Sequence, residues 1–159
     1  MTVPERVRDK APAPPALPRW LGYAGLLPQA IALAAVVGGD PEGRFTALAL
    51  GFAYAALILS FLGGMWWGLA AQAGAAVPRW LWFAAVAPSL IALVSAWPWA
   101  VGKTWPGPSM VALGLALLGS LAVDYKLDAA GLCPDWWLRL RLPLSIGLGV
   151  LTLAIGFFA

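Results

Sequence analysis

The sequence predicts an all-α integral membrane protein with five transmembrane helices. Hydrophobic residues make up 62% of its 159 residues and charged residues 11%. A soluble domain carries about 25% charged residues, so this chain has too little polar surface to be one. Five apolar runs, at roughly 19–38, 45–72, 79–98, 107–124 and 140–158, approach the about 20 residues that a helix needs to cross lipid. In hydrocarbon every backbone amide must be satisfied internally, which leaves helices or closed barrels. Continuous rather than alternating apolar runs select helices.

Residues 1–17 (MTVPERVRDKAPAPPAL) mix both charge signs with Pro and Ala. They read as a solvated, disordered tail ahead of a single membrane domain over 18–159. The charged part is long for a signal peptide and the first apolar run is full length, so a signal anchor is expected. The first run opens with Pro18-Arg19-Trp20 and carries Pro28, and the third opens with Pro78-Arg79-Trp80 and carries Pro88. PRWLGYAGLLPQAIAL at 18–33 and PRWLWFAAVAPSLIAL at 78–93 agree at nine of sixteen positions. The fifth run follows Pro134-Asp135-Trp136 and carries Pro143. The second (ALILSFLGG from Ala56) loosely matches the fourth (ALGLALLGS from Ala112). The expected topology is therefore two parallel-repeat hairpins plus a fifth helix. An internal proline removes a backbone hydrogen bond, so Pro28, Pro88 and Pro143 are expected to kink their helices at similar depth.

Eight of the ten basic residues fall on the side of the N-terminus, here side one, and only Arg44 and Lys103 on the other. The positive-inside rule then places the N-terminus in the cytoplasm and the C-terminus in the periplasm of a bacterial inner membrane. The net charge of +3 follows from that bias and implies no nucleic-acid partner.

The chain has no histidine and one cysteine, Cys133. That excludes His-ligated haem and His-based zinc sites and removes the commonest general base. No catalytic residue, cofactor or metal site is expected. Asp124 closes the fourth run, and Asp128, four residues on, shares its face if the helix continues. They form a candidate polar cluster, either a solvated helix end paired to Arg139 or Arg141 or, as a last-ranked alternative, a Mg²⁺ site. In SFLGGMWWGL at 60–69, Ser60, Gly64 and Gly68 recur every four residues. With Gly63 they are the expected helix-packing residues. The ten tryptophans lean toward side one. There Trp66, Trp67, Trp80, Trp136 and Trp137, beside Arg79, Arg139 and Arg141, form a candidate surface for lipid or an amphipathic ligand with an anionic head.

LSFLGGMWWGLA at 59–70, APSLIAL at 87–93 and PDWWLRLRLPL at 134–144 resemble the blocks of a membrane-protein family of unknown function that includes vertebrate transmembrane protein 69. The resemblance spans about residues 17–158. It implies a small multi-helix protein of proteobacterial and mitochondrial membranes, with no established activity. The family pattern has a His where this chain has Trp66.

Two functions are expected. The first is a non-enzymatic accessory or assembly protein of a larger energy-transducing membrane complex, using the Gly64/Gly68 face toward other subunits or a second copy. The second is a lipid- or small-ligand-binding protein or carrier using the Trp/Arg surface.

Overall fold

The structure, a computed structural model, describes residues 12–39, 41–74, 77–103 and 105–159. Most of the tail expected to be disordered, residues 1–11, lies outside the described residues. The chain forms α1 (Ala16–Ala24), α2 (Leu27–Gly38), α3 (Pro41–Ala73), α4 (Arg79–Ser95), the short α5 (Trp97–Ala100), α6 (Gly107–Ala129) and α7 (Trp137–Phe158). Among the described residues, five spans are long and apolar enough to cross a membrane: Ala16–Gly38, Pro41–Ala73, Arg79–Ala100, Gly107–Ala129 and Trp137–Phe158. The chain is a multi-pass helical membrane protein. At 33 residues, α3 is roughly 50 Å long, well beyond a hydrocarbon core of about 30 Å.

The three prolines act differently. At Pro28 the span is split: α1 ends at Ala24, Gly25 and Leu26 form a turn, and Pro28 takes the second position of α2. A proline has no N–H and crowds the preceding turn, so it fits the first turn of a new helix. The Tyr54 hydroxyl of α3 donates to the half-buried Gly25 carbonyl and fixes the break. Pro88 and Pro143 instead sit inside continuous helices.

The spans form a ring in which each packs on the next, and α3 also reaches α6 and α7 across the centre. The most extensive contact is between α6 and α7. Two glycines make it close. A Cβ on Gly114 would lie 3.0 Å from the Gly149 carbonyl oxygen, and one on Gly149 would lie 2.7 Å from the Leu118 side chain. One turn pair further along, Gly156 and Gly107 meet in the same way, 3.1 Å from a Gly156 Cβ to the Gly107 carbonyl oxygen. Bare backbone on both helices lets van der Waals contact replace the hydrophobic drive that lipid removes.

Polar side chains tie the spans inside the bundle. Gln29 Nε2 donates to Thr152 Oγ1 at 3.0 Å, and Thr152 donates on to the Leu148 carbonyl at 2.7 Å, joining α2 to α7. Near the other face, Arg44 donates to the Val36 carbonyl at 3.3 Å and to the Phe158 carbonyl, gathering three spans. Trp105 packs edge-on against Phe52 and stacks on Trp99 at that face.

Candidate functional site: a buried ion pair beside a lipid-side cavity

The sequence places Asp124 at a helix end. In the structure α6 runs five residues further, to Ala129, so Asp124 lies inside a membrane-spanning helix and is fully buried. Its carboxylate gathers donors from two other helices. Trp66 Nε1 of α3 donates to Oδ1 at 3.0 Å and Trp137 Nε1 of α7 donates to the same oxygen at 2.9 Å. Arg141 Nε of α7 donates to Oδ2 at 2.9 Å, forming an ion pair whose side chains are 8% and 0% exposed. Arg141 Nη2 also donates to Ser120 Oγ at 3.3 Å, and Ser120 donates to the Leu117 carbonyl at 2.6 Å. An unpaired charge at such depth is costly, and pairing with further hydrogen bonds is what makes it tolerable.

The geometry follows from helical spacing. Trp137 and Arg141 are four residues apart on α7 and so point to one face. Their face continues through the buried Ser145, Leu148, Thr152 and Ile155. Asp124 and Ser120 are likewise one turn apart on α6. The expectation of a solvated helix end is therefore corrected: Asp124 is buried within the spans, and of the two arginines expected to pair with it, Arg141 does so.

Beside the pair lies a cavity of about 440 Å³ between α1, α3, α6 and α7. Arg141 and Ser145 stand on its wall, Trp136 and Trp137 line one end, and the rest of the lining is largely aliphatic and aromatic. Leu21 and Phe61, 64% and 61% exposed, stand at its rim, so it opens between helices toward the bilayer. The Ser145 hydroxyl is buried without a hydrogen-bond partner among the described residues. A larger groove of about 780 Å³ between α2 and α3 contains no charged side chain.

The predicted site residues thus separate. Trp66, Trp137 and Arg141 converge on Asp124, and Trp136 adjoins them across a 6.2 Å ring separation from Trp137. Trp67 packs edge-on against Trp82 of α4 at 4.8 Å. Trp80 carries the Lys126 ammonium 5.5 Å above its ring. Arg79 and Arg139 are exposed, as is Asp128, which does not share the burial of Asp124. The small residues divide as well. A Cβ on Gly63 would run into the Ala85 carbonyl of α4, and Ser60 shares a 2.8 Å hydrogen bond with Ser89 of α4. Among the described residues, Gly64 and Gly68 have nothing within 4 Å of a Cβ position. Ser120, Ser145, Gln29 and Thr152 were not singled out from the sequence. Ser145 and Thr152 do carry a signal, since they lie four and eleven residues from Arg141 on one face of α7; Ser120 and Gln29, on α6 and α2, carry none. Cys133, in the α6–α7 connection, has its thiol pushed up to about 11 by burial and by the nearby Asp128, Asp124 and Asp135 carboxylates.

Five apolar spans closed around a buried Asp–Arg pair define a small multi-pass membrane protein. The chain belongs to the family described as "Protein of unknown function (DUF3429)", which matches residues 14–158. No curated protein and no solved structure matches it.

Proposed function

We propose that this chain is a non-enzymatic lipid- or small-ligand-binding membrane protein that takes an amphipathic molecule from the bilayer into the cavity beside Arg141. The observation that carries the reading is the pairing of a buried guanidinium and an unpartnered buried hydroxyl on the wall of a cavity of about 440 Å³ that is otherwise largely apolar. Ligand sites combine mostly apolar lining with a few convergent polar groups. The protein sits in a bacterial inner membrane with side one, and so the Arg141 end of the cavity, toward the cytoplasm; eight basic residues against two support that orientation. The block similarity also supports kinship with vertebrate transmembrane protein 69. Native mass spectrometry after mild extraction tests the function. The wild-type chain should retain a defined small molecule that Ser145→Phe, which fills the cavity, loses. Bulk lipid in the same proportions in both would overturn it.

A second reading is an accessory or assembly subunit of a larger membrane complex. It is favoured by the bare Gly64/Gly68 surface on α3, where among the described residues nothing lies within 4 Å of an added Cβ. Gly64→Leu or Gly68→Leu should then remove a co-migrating partner on a native gel, and unchanged complexes in both would count against it.

A further inference from the structure

We infer that the cavity selects an uncharged amphiphile whose head presents carbonyl oxygens, rather than an anionic lipid. This rests on the proposed ligand site and specifies its chemistry. The cation on the cavity wall is already neutralised: Arg141 Nε is 2.9 Å from Asp124 Oδ2, and the pair is buried. An anionic head brought to Arg141 would leave one net negative charge in a site shielded from water, which is expensive. A cationic head would meet the guanidinium directly. A neutral head adds no charge.

The available hydrogen bonding sets the rest. The guanidinium has donors only, and more of them than its bonds to Asp124 and Ser120 use. The Asp124 carboxylate already accepts from Trp66, Trp137 and Arg141. Ser145, 2% exposed, is a lining residue of the cavity, and its buried hydroxyl has no hydrogen-bond partner among the described residues. A head that accepts is therefore matched, and a carbonyl accepts without carrying charge. Arg141 lies one turn into α7 and Ser145 two turns in, so the head sits toward side one. Leu148 and Leu26, further along the cavity, leave an apolar channel for a tail. Entry past Leu21 and Phe61 is from lipid, which suits a molecule that partitions there. A quinone with a long tail and an acyl ester such as a monoacylglycerol share this chemistry.

The test uses the full chain in nanodiscs of phosphatidylcholine, titrated separately with a decyl-substituted benzoquinone, monoolein and phosphatidylglycerol, with binding read by native mass spectrometry. We expect saturable binding of one or both neutral probes, and which one binds identifies the source. Ser145→Ala should weaken it about fivefold, the loss of one hydrogen bond, with thermal unfolding unchanged. Ser145→Leu, which also fills space, should abolish it. Tightest binding by phosphatidylglycerol, sensitive to Ser145→Leu, would overturn the neutral-head inference while leaving the ligand site standing. No saturable binding of any probe to folded protein would overturn both. Neutral-probe affinity unchanged in folded Ser145→Ala would remove the hydroxyl from recognition and with it this inference.

Discussion

Replacing Asp124 by Asn tests whether the buried pair holds the bundle. The two side chains have nearly the same shape, so packing is preserved. If the Asn oxygen keeps the two indole N–H bonds at 3.0 and 2.9 Å, its amide nitrogen takes the position of Oδ2. It then faces Arg141 Nε across the former 2.9 Å contact. Donor meets donor, and a guanidinium that is 8% exposed loses its counter-charge. Removing one partner of a buried pair costs about 3–5 kcal/mol, a large share of a typical stability of about 5–15 kcal/mol. Equilibrium unfolding in bicelles should show a loss of that size, little altered by high salt, because screening acts weakly on buried charges. Adding Arg141→Met should restore most of it, since an apolar replacement of both partners is often neutral. An Asp124→Asn variant within about 1 kcal/mol of wild type would refute the reasoning.

Other outcomes follow from the same contacts. Trp66→Phe and Trp137→Phe each remove one N–H donor from the Asp124 carboxylate and should each cost about 2 kcal/mol; unfolding curves that overlay wild type would contradict this. Gly63→Ala forces a methyl into the Ala85 carbonyl and should destabilise by about 1–3 kcal/mol. Gly64→Ala, with open space around it, should be neutral or stabilising by up to about 1 kcal/mol, and equal effects at the two positions would dissociate stability from the α3–α4 contact. Cys133, with its thiol pushed up to about 11, stays protonated at neutral pH. Its alkylation near pH 8 should run on the order of a hundredfold slower than that of a free thiol and climb as pH approaches 11. A reactivity midpoint near the free-thiol value of about 8.5 would show that the thiol is not shielded.

The five spans were legible because lipid imposes a length and an apolar requirement that composition alone reveals. Their ends were less so. The apolar run of the fourth span stops at Asp124, yet α6 continues to Ala129, since the helix is held by Trp66, Trp137 and Arg141 rather than by hydropathy. The repeated Pro-x-Trp segments also diverge where their sequences agree. Pro28 follows Gly25, whose carbonyl is held by Tyr54, and the helix breaks there. Pro88 follows Ala85, whose backbone is packed by Gly63, and the helix continues. The proline is common to both, and its neighbours decide the outcome.

The site was hidden for a related reason. Reading charges as a mean over each span makes one Asp and one Arg look like the ends of two apolar segments. What joins them is that α6 and α7 approach over Gly107, Gly114, Gly149 and Gly156, a tertiary fact with a faint sequence trace, glycines seven residues apart on each helix. The more conspicuous small residues, Gly64 and Gly68, have open space where a Cβ would stand, among the described residues. Trp66 of α3 belongs to the same site. An indole and an imidazole both carry a ring N–H, and in this fold that N–H meets a buried carboxylate. The position therefore demands a donor aimed across the helix interface, which an imidazole N–H would also supply. Trp66→His should on this view retain more stability than Trp66→Leu, which leaves Asp124 Oδ1 with the Trp137 donor alone. Equal losses in the two variants would mean that Trp66 matters for its volume and not for its N–H.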